Sequence, residues 1–217
     1  MNYSKAAIMT KTLTNFSAAI LCGGRSRRMG FDKSLLRLSN GQLLVAALAE
    51  ELERAFGQVS LITNSVQKFE GLKELKPFEL IEDLHPGAGP AGAIRAALLA
   101  LKGKFLFVMA GDMIVIDWNL IKKMAHLAIE QKADMVAPRC GQFYEPLYAF
   151  YGPAACEPLR LTLCRGGGAP MEISNSINFK SLDLEESDLR DGGFVNLNTP
   201  EQLKAAGDLT LKIYGLP

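Results

Sequence analysis

The sequence predicts an α/β fold in which a mostly parallel central sheet is covered by helices. Short apolar runs alternate with longer stretches whose apolar residues recur at three- and four-residue spacing, as in Leu44, Leu48, Leu52 and Phe56. No internal repeat or linker breaks this alternation. Because a chain of 217 residues can bury roughly 70% of its unfolded surface in one domain, a single domain spanning residues 1–217 is expected.

The predicted strands of the first part are short apolar runs that end at turn residues. They are expected at Phe16–Cys22, Val59–Thr63, Phe78–Ile81, Lys104–Met109 and Asp134–Pro138. The fourth run is continuously apolar, which is typical of a central parallel strand. The amphipathic stretches between the strands predict helices over Leu43–Phe56, Ala91–Leu101 and Trp118–Gln131.

The pattern changes after Pro138. Gln142–Tyr151 alternates like an antiparallel ribbon, a glycine-rich turn follows at Gly166–Gly168, and Ile177–Leu184 predicts a late strand. At the other end of the chain, residues 1–15 are expected to form a flexible N-terminal extension.

Polar or glycine-rich loops follow the first four predicted strands. They begin at Gly23, Asn64, Asp83 and Gly111. Because ligands of open α/β sheets bind outside the carboxyl ends of the strands, these four loops are expected to converge on one cleft.

The loop from Leu21 to Lys33 is suited to binding anions. Gly23 and Gly24 allow the backbone to approach a ligand closely, and Arg25, Arg27, Arg28 and Lys33 are offset only by Asp32. The loop is not a Walker A motif, because Gly30 is followed by Phe31, and no G-x-G-x-x-G follows the strand. The alternative is a tight turn beside a solvated basic face.

Three polar residues in the other loops have both a functional and a structural interpretation. A carboxylate at Asp112, across the cleft from a phosphate loop, is suited to holding Mg²⁺, but it could also cap a helix. Asp83 could contact a nucleotide or cap its own Pro/Gly loop, and Asn64 could be an ordinary turn residue.

The segment Phe194 to Glu201 contains a helix start. Thr199 fits the N-cap, Pro200 the first helical position and Gln202 the third, which completes a capping box. This interpretation leaves Asn196 and Asn198 unexplained. Alternation puts both on one side of an extended segment, where their amides could offer paired donors and acceptors.

Composition excludes several other classes of protein. A net charge of +1 argues against general nucleic-acid or membrane-surface binding, and no apolar run approaches the roughly 20 residues of a membrane span. The cysteines show no C-x-x-C spacing and only two histidines are present, so a structural zinc site is not expected. Reduced thiols in a cytoplasmic protein fit this composition best.

The motifs together resemble those of the molybdenum cofactor guanylyltransferases, the MobA type. The resemblance is carried by Leu21 to Lys33, Glu82-Asp83 with Pro86 to Gly92, Gly111-Asp112 and Phe194 to Glu201, and extends from about Ser17 to about Ala206. It implies a Rossmann-like three-layer sandwich of the nucleotidyltransferase, GT-A-like type. One departure is Ile114, where family members often have a proline.

The resemblance also implies an activity and a set of site residues. GMP would pass from GTP to the terminal phosphate of molybdenum-bound molybdopterin, with release of pyrophosphate. Lys33, Asp112 and Arg28 would be catalytic, and Asp112 would hold Mg²⁺. Nucleotide-binding residues would be Leu21, Cys22, Gly23, Gly24, Lys33, Asn64, Asp83 and Asp112, and acceptor-binding residues Asn196 and Asn198.

The same resemblance divides the chain and suggests its partners. Residues 16–138 would form the nucleotide-binding part and residues 139–206 the acceptor-binding part. Besides GTP and molybdopterin, an accessory GTP-binding protein and molybdoenzymes or their chaperones are implied as partners. Neither a nucleic acid nor a membrane is expected.

Three alternatives stay open. CTP-using relatives tend to have Ala-Gly in place of Gly23-Gly24, which favours GTP here, and the Phe194 to Pro200 motif favours a pterin over a sugar phosphate as acceptor. A nucleotide-binding regulator without turnover is the third, and the presence of both Asp112 and Lys33 argues against it.

Overall fold

The computed structural model describes residues 13, 15–23, 32–189, 194, 197 and 209–217. Several of the predicted site residues lie outside this part of the chain, namely Gly24, Arg25, Arg27, Arg28, Asn196 and Asn198. The predicted helix cap at Thr199, Pro200 and Gln202 also lies outside it, as does most of the predicted N-terminal extension.

The described strands and helices follow the predicted order closely. The strands are β1 Phe16–Leu21, β2 Val59–Thr63, β3 Glu79–Glu82, β4 Phe105–Ala110, β5 Val115–Asp117, β6 Met135–Cys140, β7 Phe143–Tyr144, β8 Tyr148–Tyr151, β9 Phe179–Leu184 and β10 Lys212–Tyr214. The α-helices are α1 Leu44–Phe56, α2 Pro90–Leu99, α3 Trp118–Glu130 and α4 Cys156–Cys164. Short 3₁₀ helices include Lys33–Leu35 and Gln67–Phe69.

The main sheet is built around β1, which lies between β2 and β4 and is parallel to both. β3 pairs with the outer edge of β2, also in parallel. On the other side of β4, β8 runs antiparallel and pairs with β6, and β9 continues in parallel with β6. The predicted mostly parallel sheet is therefore confirmed, and the predicted ribbon supplies its antiparallel strands β7 and β8.

Two apolar clusters cover the two faces of this sheet. Alternate residues of β1 belong to different clusters: Ala18 and Ile20 face α1 and α3, whereas Ala19 and Leu21 face α2 and α4. This arrangement confirms the three-layer sandwich. Leu13, within the predicted N-terminal extension, is buried in the cluster beneath α1.

The ends of the helices have local causes. α1 ends at Gly57, whose φ of 66° is the left-handed conformation of a C-cap. α3 begins after Asp117, whose carboxylate accepts the amides of Asn119 and Leu120. α1 and α3 have 13 residues each, and no helix among the described residues combines the length and apolar character needed to cross a membrane.

Candidate active site

A cleft of about 390 Å³ opens at the carboxyl ends of β1, β2, β3 and β4. Most of its lining residues come from the four loops that follow these strands, so the predicted convergence is confirmed, and Leu147 contributes from between β7 and β8. The lining residues are Leu21, Cys22, Gly23, Asp32, Lys33, Ser34, Asn64, Asp83, Gly87, Gly89, Pro90, Ala93, Ala110, Gly111, Asp112 and Leu147.

Lys33 and Asp112 form an ion pair across the cleft. Lys33 Nζ lies 3.0 Å from Asp112 Oδ2, and the two side chains are 17% and 19% exposed. Gly111 positions Asp112 by packing tightly against β1: its amide donates to the Leu21 carbonyl at 3.0 Å, and a Cβ there would lie only 3.1 Å from that oxygen. The pair places a cation and a carboxylate where a phosphate and its counterion could bind.

Asp32 fixes the backbone that carries Lys33. Its Oδ1 accepts hydrogen bonds from the Ser34 amide at 3.0 Å and the Ser34 hydroxyl at 2.6 Å, which caps the 3₁₀ helix Lys33–Leu35. Partial burial acts to raise the pKa of Asp32, but the hydrogen bonds from Ser34 and from Lys68 outweigh it and hold the pKa below its usual range. Asp32 is therefore a structural anion that keeps Lys33 aimed into the cleft.

Gly23 and Asn64 lie against each other on the wall formed by β1 and β2. A Cβ on Gly23 would come within 2.7 Å of Asn64 Oδ1, so only glycine leaves the amide where it is. The neighbouring residue Cys22 lines the cleft and has no reactive thiolate. Its amide donates to the Ile62 carbonyl at 2.7 Å, and burial raises the pKa of its thiol to about 12, which keeps the sulfur protonated.

Asp83 and the start of α2 form another part of the cleft lining. Asp83 is only 5% exposed, and its Oδ1 accepts a hydrogen bond from the His85 amide at 2.8 Å. This bond agrees with the interpretation that Asp83 caps its own loop. α2 begins with Pro90 in the first helical position, one residue before the predicted start, after Gly89 with φ 86°. The helix thus points its amino end at the cleft, which favours an anionic ligand there.

The segment carrying Asn196 and Asn198 is represented by two described residues. The Leu197 amide donates to the Asp112 carbonyl at 3.2 Å, and the Phe194 ring lies 5.4 Å from that of Tyr148. The chain therefore passes beside Asp112 at Leu197.

Comparison with known proteins identifies the family. The model of the MobA-like NTP transferase domain matches residues 18–176, which include every lining residue of the cleft. The chain belongs to this family. As a MobA-like NTP transferase it is a nucleotidyltransferase, as the motifs of the sequence implied.

Individual relatives agree with this assignment. A probable molybdenum cofactor guanylyltransferase of Natranaerobius thermophilus is 32% identical over 88% of this chain and 95% of its own length. One of Methanothermobacter thermautotrophicus is 31% identical over 87% of this chain and 97% of its own length. The crystal structure of molybdopterin-guanine dinucleotide biosynthesis protein A from Archaeoglobus fulgidus is similar with a TM-score of 0.72, 26% identity, and coverage of 88% of this chain and 96% of that one.

The cleft of this MobA-like protein offers a carboxylate that could bind a divalent metal ion together with a substrate. Within the described part of the chain, no group of three or more His, Cys, Asp or Glu side chains could hold a metal ion by itself. Asp112 nevertheless offers one carboxylate inside the cleft, and Mg²⁺ commonly binds to one or two carboxylates together with substrate phosphates. The chemistry of the site therefore suits a metal held jointly by protein and nucleotide.

Two charged residues near the cleft were not predicted as part of the site. Lys68 Nζ lies 3.0 Å from Asp32 Oδ2, and Glu145 lies between β7 and β8, close enough to Asp112 for their charges to interact. Burial raises the pKa of Glu145, and the negative charge of Asp112 adds to the shift, against a hydrogen bond from the Leu147 amide. The family resemblance places the Glu145-Pro146 pair near the acceptor, with a structural role left open, whereas Lys68 stands in an ordinary polar turn that gave no signal.

Proposed function

We propose that this protein transfers GMP from GTP to the terminal phosphate of molybdenum-bound molybdopterin and releases pyrophosphate. The observation that carries the proposal is the cleft itself: in a MobA-like NTP transferase, Lys33 and Asp112 face each other at 3.0 Å between loops suited to a nucleotide. The relatives named guanylyltransferases, which cover most of this chain at about 30% identity, support guanine over other bases.

The chemistry is an in-line substitution at phosphorus. An oxygen of the acceptor phosphate attacks the α-phosphorus of GTP, a new P–O bond forms, and the bond between the α-phosphorus and the bridging oxygen breaks. Pyrophosphate leaves with that electron pair. An ionised phosphate needs little help from a general base, so catalysis comes from positioning and from neutralising charge.

Lys33 is the principal cation in this proposal. A helix amino terminus contributes only about 0.3–1 kcal/mol towards an anion, so the α2 end cannot neutralise a triphosphate alone. Lys33 Nζ already lies inside the cleft, held near a carboxylate, and a triphosphate would offer it a stronger anionic partner. Arg28, whose role rests on the family resemblance, would assist it.

Asp112 would hold Mg²⁺ together with the triphosphate. The bound ion would neutralise phosphate charge and favour departure of pyrophosphate. Release of Lys33 from Asp112 on nucleotide binding would leave the carboxylate available to the metal, so the ion pair keeps both groups in place in the absence of substrate.

The nucleoside would lie along the wall formed by Leu21, Cys22, Gly23 and Asn64, with Asp83 near α2 completing its site. The absence of a side chain at Gly23 leaves the Asn64 amide in position for a hydrogen bond to base or ribose. Gly24 would extend the same backbone surface towards the phosphates.

The acceptor would bind on the other side of Asp112. Asn196 and Asn198 are assigned to molybdopterin, and the hydrogen bond from Leu197 to the Asp112 carbonyl supports a position for this segment beside the reacting phosphates. We regard residues 16–138 as the nucleotide-binding part and residues 139–206 as the acceptor-binding part of one nucleotidyltransferase domain.

The cellular setting forms the last part of the proposal. The four cysteines are all free, which fits a reducing cytoplasm. Product would pass from there to molybdoenzymes or their chaperones, with an accessory GTP-binding protein as a further partner.

Nucleotide choice is the direct test of the guanylyl assignment. GTP with Mg²⁺ should bind at least tenfold more tightly than CTP, a difference of about 1.4 kcal/mol that one set of base-edge hydrogen bonds can supply. Calorimetric titration of both nucleotides measures this ratio. Equal or tighter binding of CTP would overturn the guanylyl assignment and leave the nucleotidyltransferase fold intact.

A further inference from the structure

Lys68 contacts both ends of the loop that begins at Gly23. Its Nζ lies 3.0 Å from Asp32 Oδ2, where the loop ends, and donates to the Cys22 carbonyl at 3.4 Å, where the loop begins. The Lys68 side chain is 23% exposed, so these contacts are partly shielded from water. One ammonium group thus contacts two residues that lie ten positions apart in the sequence.

The position of Lys68 is itself fixed. It lies in the 3₁₀ helix Gln67–Phe69, whose Phe69 is buried in the core beneath α1. Lys68 Nζ lies 5.0 Å from the centre of the Phe69 ring, within range of a cation–π interaction. Because the neighbouring Phe69 is buried in the core, the backbone of Lys68 is held in a fixed position from which its side chain can contact the loop.

The two oxygens of Asp32 have separate tasks. Oδ1 accepts from the Ser34 amide and hydroxyl and so caps the helix that begins at Lys33, while Oδ2 accepts from Lys68. Lys33 is the next residue, and its Nζ reaches Asp112 at 3.0 Å. A displacement of the Asp32 carboxylate would therefore move the lysine that meets the triphosphate.

Charge gives Lys68 a second effect on an anionic ligand. The Asp32 carboxylate lines the same cleft as Lys33, and Lys68 neutralises it. Without Lys68 the carboxylate would repel an incoming triphosphate and could compete for Lys33.

We propose that Lys68 is a positioning residue. It holds Cys22 and Asp32, at the two ends of the loop that begins at Gly23, in fixed positions, and through Asp32 it holds Lys33 where it can bind the triphosphate. The inference rests on the proposed function, because it requires a nucleoside triphosphate in this cleft. It assigns Lys68 no contact with the ligand itself.

A double-mutant cycle on GTP affinity tests this role. Lys68→Met keeps the length of the stem and removes the charge, and it should weaken calorimetric binding of GTP with Mg²⁺ at least fivefold. Lys68→Arg should retain most of the affinity. Lys76→Met, at an exposed lysine eight positions further along, is the matched control and should bind like the wild type.

Asp32→Asn, alone and combined with Lys68→Met, completes the cycle, because asparagine removes the carboxylate charge and keeps an oxygen for the Ser34 cap. If Lys68 acts through Asp32, Lys68→Met should weaken GTP binding by less than twofold in the Asp32→Asn background. Melting temperatures of all variants show whether each is folded at the titration temperature.

The outcomes separate the inference from the proposed function. If Lys68→Met binds within twofold of the wild type, or if it weakens binding equally with and without the Asp32 carboxylate, the positioning role is wrong. The second of these results would instead make Lys68 a direct phosphate ligand. If the wild type itself does not bind GTP, the proposed function fails before Lys68 is tested.

Discussion

Gly23→Ala should weaken GTP binding without destabilising the protein. The new Cβ would lie 2.7 Å from Asn64 Oδ1 and 3.2 Å from its Cγ, whereas ordinary contacts begin at 3.4 Å. Asn64 must therefore withdraw its amide by about 0.7 Å or rotate away. If this amide bonds the nucleotide, losing that bond costs about 0.5–1.5 kcal/mol, or roughly 2- to 13-fold in affinity.

The Gly23→Ala substitution should lower GTP affinity but leave the free energy of unfolding nearly unchanged. The backbone of Gly23 is not in the left-handed region, so alanine reduces the entropy of the unfolded chain and stabilises the fold by about 0.4–1 kcal/mol. The displaced group is the flexible end of a side chain at the cleft, so its movement offsets only part of this gain. The melting temperature should stay close to that of the wild type.

Calorimetric titration with GTP, combined with thermal unfolding, checks both statements. Asn64→Ala should lose a similar amount of affinity, and the Gly23→Ala, Asn64→Ala double variant should lose little more than either alone, because both act through one amide. If Gly23→Ala binds GTP as tightly as the wild type, or if the losses in the double variant are fully additive, Gly23 does not act by leaving the Asn64 amide in position to bind the nucleotide.

Three further expectations concern other parts of the site. Asp112→Ala should abolish Mg²⁺-dependent pyrophosphate release while the protein stays folded, and substantial turnover at saturating Mg²⁺ would place the metal elsewhere. Burial raises the pKa of Glu145, so the stability this group contributes is present below its unfolded pKa and is lost as pH rises through the folded pKa. Glu145→Gln should therefore raise the urea midpoint at pH 8 and change it little at pH 4; an equal effect at both would show that ionisation is not the cause. In the folded protein at pH 8, iodoacetamide should modify exposed Cys164 and spare Cys22, whose buried thiol has a pKa of about 12, as peptide mass spectrometry can show; rapid modification of Cys22 would mean that β1 opens readily.

The sequence predicted the central strands of the sheet because they are mainly apolar and buried. The observed ends of β1, β2 and β4 differ from the predicted ones by no more than one residue. α4 was not predicted, because only Leu159 and Thr162 along Cys156–Cys164 are buried and the stretch lacks a visible apolar stripe. β5 and β10 were missed because three-residue strands from distant parts of the chain have no periodicity to detect.

The site was predictable where function demands particular residue types after a strand. Asp83, Asn64, Gly23 and Asp112 all line the cleft, as their places in the loops indicated. Their roles towards substrates stay predictions. Lys68 could not be found in this way, because its importance comes from contacts with residues 36 and 46 positions away that only folding brings together.

Transfer of a radioactive label tests the guanylyl transfer directly. The wild-type protein would be incubated with Mg²⁺, molybdenum-bound molybdopterin and either GTP or CTP, each radiolabelled at the α-phosphate. We expect label from GTP to appear in a molybdopterin guanine dinucleotide, with one pyrophosphate released for each nucleotide transferred, and little product from CTP. Transfer of CMP in preference to GMP, or GTP binding with no label in the pterin product, would contradict this expectation.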